Sequence, residues 1–189
     1  VTTVSLAEWT PGLDDAITLG EAYDAMPGDD ASAIPWYVRL LENPWSPLAL
    51  PGAIDLFGHD CVHILLGRGA LPSDEAFVLG VTMGASGRLK PWQQVLYALA
   101  TQHLYRAPFR FTRSDLVIYD MAAEYGRNSK IKSLHHVPWP ELRDRPLGDI
   151  RASLGVDATE LMTVYQTERA MWPDSRAAQR LPSHAPRPY

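Results

Sequence analysis

The chain has 189 residues, enough for one domain with a substantial core. Hydrophobic residues make up 46% and charged residues 21%, a globular composition that excludes a disordered chain. The formal net charge of −5 argues against a nucleic-acid binder, and the single cysteine, Cys61, excludes an intrachain disulfide.

The first residues carry no basic and apolar signal pattern and no Arg-rich transit segment. No uncharged apolar run approaches the ~18 residues of a membrane span. The expected location is cytoplasmic, or peripheral on the inner face of a membrane. Asp14 or Asp15 is a candidate cap for a helix through about Met26, with Ile17, Leu19, Tyr23 and Met26 near helical spacing. Pro27-Gly28 stops it. Pro35-Trp36 opens a short second helix, and Asn43-Pro44-Trp45-Ser46-Pro47 is a breaker cluster.

From Asn43 to Gly67 the only charged residues are Asp55 and Asp60. Ile54, Leu56, Phe57, Cys61, Val62, Ile64, Leu65 and Leu66 surround the axis of one helix, and a helix apolar on nearly all sides is buried. Gly67 and Gly69 end it. Leu71-Pro72-Ser73-Asp74-Glu75 reads as the next helix start, with Ser73 as candidate N-cap and the acids in the first turn. This helix runs uncharged to Gly87. Ala76, Gly80 and Gly84 line one side of it, a small-residue groove that suits a close neighbour and, as the second reading, a ligand.

Pro91 begins a further helix, with Trp92, Val95, Leu96, Leu99 and His103 at helical intervals. Leu116 to Tyr125 reads as another buried helix, with Asp120 and Glu124 one turn apart. Gly126 to Lys132 is a basic polar turn, and His135-His136 continues as loop. Leu147, Ile150 and Leu154 mark an amphipathic helix ended by Gly155. Asp157 and Glu160 form a capping box for the last one. The expected fold is therefore all-α. Residues 1–172 make a single helical bundle around a buried central metal-binding helix, and residues 173–189 make a flexible tail.

The chemistry concentrates on the central helix. His59 and His63 are four apart, which places both imidazoles on one helix face. Asp60 lies about 100° round the same helix. Glu75 comes from the next element. Two imidazoles and two carboxylates form a set for a divalent cation, and no Lys or Arg between Asn43 and Gly67 balances those acids. A zincin protease needs Glu where Asp60 stands. An HD-type metal phosphohydrolase shares the His59-Asp60 pair but needs a histidine upstream, and none precedes His59. A two-His-one-carboxylate iron site is the remaining alternative. Cys61 and His103 read as core residues. Arg127, Lys130 and Lys132 read as a solvated turn or, functionally, as a holder of an anionic group.

The arrangement His59-Asp60-x-x-His63-x11-Glu75 resembles the signature of the Coq-four family of coenzyme Q (ubiquinone) biosynthesis proteins. The continuation His63-Ile-Leu-Leu-Gly67 and the block Gly126-Arg127 … Leu134 … Trp139-x-Glu141 … Leu147-x-x-Ile150-Arg151-x-x-Leu154-Gly155 extend the resemblance over roughly residues 32–160. It implies an all-helical protein with His59, Asp60, His63 and Glu75 as ligands of a divalent metal, usually zinc, with iron or magnesium as alternatives. It also implies a prenylated quinone precursor, or another isoprenoid lipid, in an apolar channel, and oxidative replacement of the ring C1 carboxylate by hydroxyl. Further implied partners are a membrane surface, other quinone-biosynthesis proteins and a second copy in a homodimer, with no nucleic acid. In that picture Gly80 and Gly84 wall the channel, and Arg127 or Lys130 steadies the head group. The alternative is a non-catalytic lipid-binding scaffold whose metal is structural.

Overall fold

A computed structural model of the protein describes residues 5, 8–27, 54–90, 92–94 and 111–184. The elements expected at Pro35-Trp36 and Asn43–Pro47, and His103, lie outside the described residues. Among the described residues the fold is all-α, and no helix is long and apolar enough to cross a membrane. The single non-helical pairing is a bridge between Thr18 and Pro146.

Helix α1 is Leu19–Asp24, shorter than expected at its start. Neither Asp14 nor Asp15 caps it. Thr18 does, in a reciprocal box with Glu21. The backbone before it is taken up by the segment preceding a later helix: Gly148 N–H donates to Asp15 O, Leu147 N–H to Ile17 O, and Leu19 N–H to Arg145 O. A helix beginning at Asp14 would forfeit those long-range bonds, so tertiary pairing overrides local propensity.

Helix α2, Leu56–Leu66, is the buried central helix that its composition predicts. Asp55 caps it through the Gly58 N–H at 2.7 Å. Gly67 ends it at φ 69, a left-handed turn that a side chain would strain. Helix α3 is Pro72–Ala85. Its N-cap is Leu71 rather than Ser73. The Asp74 carboxylate accepts the Leu71 N–H at 3.0 Å, while the Ser73 hydroxyl is turned away to donate to Asp115 at 2.6 Å.

Helix α4, Arg113–Asn128, extends the expected helix by a turn or less at each end, capped by Thr112 and Asp115. Asp120 and Glu124 sit on its exposed side. Ser73 meets Asp115, Gly80 meets Ala122 and Gly126 meets Ala85, so α3 and α4 run parallel with their N-termini together. The seam is close: a Cβ on Gly80 would stand 2.5 Å from the Tyr119 carbonyl, and one on Gly126 would stand 2.6 Å from that of Val81.

Two 3-10 turns, Leu134–His136 and Trp139–Leu142, replace the expected loop. Helices α5, Leu147–Leu154, and α6, Ala158–Met171, follow; Gly155 ends the first and Asp157 caps the second. Arg151 on α5 reaches back to the end of α2, donating from Nε to Leu65 O at 2.8 Å and pairing with Asp15 at 2.5 Å.

Residues 173–184, expected as part of a flexible tail, include a short helix. Ser175 caps a seventh helix, α7, Arg176–Arg180, and Ala177, Ala178 and Leu181 are buried. Arg169 on α6 donates to the carbonyls of Leu181 and Pro182 at 2.9 and 3.1 Å. Three small or apolar side chains suffice to dock a stretch that reads as polar.

Candidate metal centre

The all-apolar surround of α2 makes any polar group on it costly unless it has a partner. His59 and His63, one turn apart, have ring centroids 4.8 Å apart. The first turn of α3 brings in Glu75. His59 Nε2 lies 3.5 Å from Glu75 Oε2, and His63 Nε2 lies 3.3 Å from Glu75 Oε1. Among the described residues, these three form the group that can hold a metal ion, with their ligand atoms within 4.8 Å of one another.

The spacing is one that a metal ion could use. Both Nε2 atoms are buried and have no hydrogen-bond partner. Each imidazole faces a different oxygen of the Glu75 carboxylate.

His63 is held in the tautomer that a ligand needs. Its Nδ1 lies 2.7 Å from the Gly69 carbonyl. A carbonyl only accepts, so Nδ1 carries the proton and Nε2 is left to face Glu75. The charges agree. Burial alone would lower the His63 pKa, but the Glu75 carboxylate overrides this and raises it to about 9. Burial alone would raise that of Glu75, and His63 and His59 pull it down to about 2. Burial lowers His59 to about 4, keeping it neutral. One partly exposed carboxylate thus shares one proton with the imidazoles that face it, and a divalent cation would offer a stronger counter-charge at the same point.

Asp60, the fourth expected ligand, is not among the three residues whose ligand atoms lie within 4.8 Å of one another. One residue on from His59 is about 100° round the helix. Its charge bears instead on Tyr23 and Cys61, as well as on His63. Burial, with Asp60 adding to it, pushes the Cys61 thiol up to about 12, so Cys61 stays protonated and is a core residue as expected.

The expected substrate contacts are not at the metal group. Gly80 and Gly84 are filled by the α4 backbone, which leaves no space for a ligand on that face. Arg127 pairs with Glu124 and donates to Gln94 at 3.3 Å. Gly126 lies level with Ala85, ten residues along α3 from Glu75, or about 15 Å at 1.5 Å per residue. Arg127 and the exposed Lys130 therefore lie at the far end of the helix pair from His59 and His63. His135 and His136 stack on each other, ring centroids 3.8 Å apart, and join no metal group.

Sequence reasoning missed what holds the group in place. Arg68 between its two glycines reads as a break, yet it is fully buried against Glu168, 100 residues away. The Trp139 indole packs against Gly58, the residue before His59, where a Cβ would stand 2.7 Å from Cδ1. A scan against family models finds no match to this chain, and no curated protein or solved structure matches it either.

Proposed function

We propose that His59, His63 and Glu75 hold one divalent metal ion, and that the protein acts on a prenylated aromatic quinone precursor as the Coq-four resemblance implies. The observation that carries the metal reading is the convergence of three ligand atoms rather than four. Closed four-ligand sites are the structural kind, whereas three protein ligands leave a position for water or substrate. The donor set favours zinc or iron(II) over magnesium, which prefers oxygen ligands.

Bound there, a divalent cation supplies Lewis acidity toward a ring carboxylate or phenolate. The residues of the chain do the rest. Gly69 fixes the His63 ring, Glu75 bridges the two helices, and the apolar flanks of α2 exclude water. Replacement of the C1 carboxylate by hydroxyl is an oxidation. It calls for iron in the site or for dioxygen reacting directly with the phenolate, since zinc does not change redox state. The resemblance also underlies the proposed membrane-surface location, homodimer and partner enzymes.

Incubating zinc- or iron-loaded protein with a prenylated hydroxybenzoate under oxygen tests this reading. The expected result is release of carbon dioxide and a hydroxylated product, lost in His63→Ala while the helical content is kept. Tight isoprenoid binding without turnover under either metal would favour the scaffold. Absence of bound metal by elemental analysis, with stability unchanged by chelator, would remove the metal centre itself.

A further inference from the structure

The turn joining the two ligand-bearing helices is held by a group that the metal reading does not use. Arg68 donates to both carboxylate oxygens of Glu168, from Nη2 to Oε2 at 2.7 Å and from Nη1 to Oε1 at 3.3 Å. Its Nη1 also lies 3.6 Å from Asp74 Oδ1. The guanidinium stands 4.0 Å over the Phe77 ring and 5.1 Å from that of Tyr165. The Tyr165 hydroxyl donates to the Leu66 carbonyl, a second grip by α6 on the same turn. Buried cations stay where their carboxylates are, because separating them strands a charge in the core. Arg68 is therefore fixed from α3 and α6 together.

Both sides of the metal group hang on this segment. The Arg68 backbone N–H donates to the His63 carbonyl at 2.9 Å, and the next residue supplies the carbonyl that binds His63 Nδ1. Asp74, which Arg68 faces, sets the start of α3 through Leu71 and immediately precedes Glu75. The orientation of one ligand and the placement of another trace to the backbone between Gly67 and Asp74.

We infer that Arg68, held by Glu168, is a positioning residue for the metal group, fixing the turn whose Gly69 carbonyl aims His63 Nε2 at Glu75. The inference rests on the metal reading above and assigns Arg68 no contact with the ion. Partners that orient a ligating histidine typically govern metal affinity by about 10- to 100-fold.

Two conservative variants test it. Arg68→Lys keeps the charge and loses the planar fork; Glu168→Gln keeps the shape and loses the charge. Leu161→Ala, a truncation of a buried α6 residue, serves as the stability control. The readouts are cobalt(II) affinity from visible absorption, the thermal midpoint, and the nitrogen-15 shift of His63 Nδ1 in metal-free protein above about pH 9, where the ring is neutral and its tautomer can be read. Both variants are expected to weaken cobalt binding by about 10- to 100-fold and to lose the protonated-Nδ1 signature. Leu161→Ala is expected to lower the midpoint and keep the wild-type affinity. Should Arg68→Lys not fold, Glu168→Gln alone decides. Wild-type affinity in the variants, or an equal loss in Leu161→Ala, overturns the inference. If the unmodified protein binds no cobalt, the metal reading fails, and the Nδ1 signal decides separately. Retained in the variants it overturns the positioning role, and lost in them it supports that role.

Discussion

Two buried polar clusters sit on either side of one turn, and they are built in opposite ways. In the Arg68–Glu168–Asp74 cluster the charges face one another, with two hydrogen bonds joining the guanidinium to one carboxylate. In the His59–His63–Glu75 cluster two ring nitrogens and a carboxylate come within 4.8 Å of one another, each Nε2 facing Glu75. The first sets a cation against two carboxylates and fastens helices, with Arg68 Nε left without a partner. The second sets one carboxylate against two imidazoles and could hold a metal ion. Burial of ionisable groups alone distinguishes neither; the direction in which their donors and acceptors point does.

The sharpest break in this contrast is truncation on the Arg68 side. Arg68→Ala leaves Glu168 buried without its cation and is expected to cost about 3–5 kcal/mol in denaturant unfolding. His63→Ala in metal-free protein is expected to cost less, because Glu75 keeps 30% of its side chain exposed. Equal losses would mean that both clusters serve the fold alone. Metal is expected to act on one side only. At 100 times its Kd, zinc should stabilise the protein by about 2.7 kcal/mol, and this gain should vanish in His63→Ala.

Titration of the His59–His63–Glu75 cluster separates the two next. His63 sits above its ordinary 6.5, so its contribution to stability is complete below 6.5 and is lost as pH rises to about 9. His59 sits below 6.5, so the unfolded chain takes up its proton first, and stability falls as pH drops from 6.5 to about 4. Glu75 adds a further loss between 4.5 and about 2. From these three groups, metal-free protein is expected to be most stable near pH 6.5. Zinc should flatten the alkaline side, with affinity rising from pH 6.5 to 9 as it displaces the His63 proton. Thermal melts across pH, with and without zinc, check both slopes. The smallest expected effect is at Asp60. Asp60→Asn should change cobalt affinity by less than about tenfold, whereas Glu75→Gln should abolish tight binding. A comparable loss at Asp60 would restore the set of four.

The sequence made α2 legible because its neighbours in the chain carry the signal: an uncharged run, the i, i+4 histidines and the Gly67 stop. Glu75 was legible because a helix start follows at short range. The start of α1 was not, since what displaces it is residues 143–148. Asp60 read as a ligand from residue type and proximity in sequence, and the converging group does not include it. Arg68 looked like punctuation because its partner, Glu168, belongs to a helix whose own pattern gives no hint of a buried acid. The packing of Ala177, Ala178 and Leu181 was hidden by the polar residues around them.

One contact ties the two ends of the described fold to the ligand-bearing turn. Arg180 donates to the Trp9 carbonyl at 2.5 Å, directly over Gly69, where a Cβ would stand 2.6 Å from each partner. The turn that orients His63 is thus closed by residues 171 positions apart. During synthesis, with the N-terminal part emerging first, α2 and α3 leave the ribosome long before Glu168 and Arg180 exist. The His59–His63–Glu75 group is made early and the residues that close its turn are made late, so the turn takes its final form only once the C-terminal helices have been synthesised.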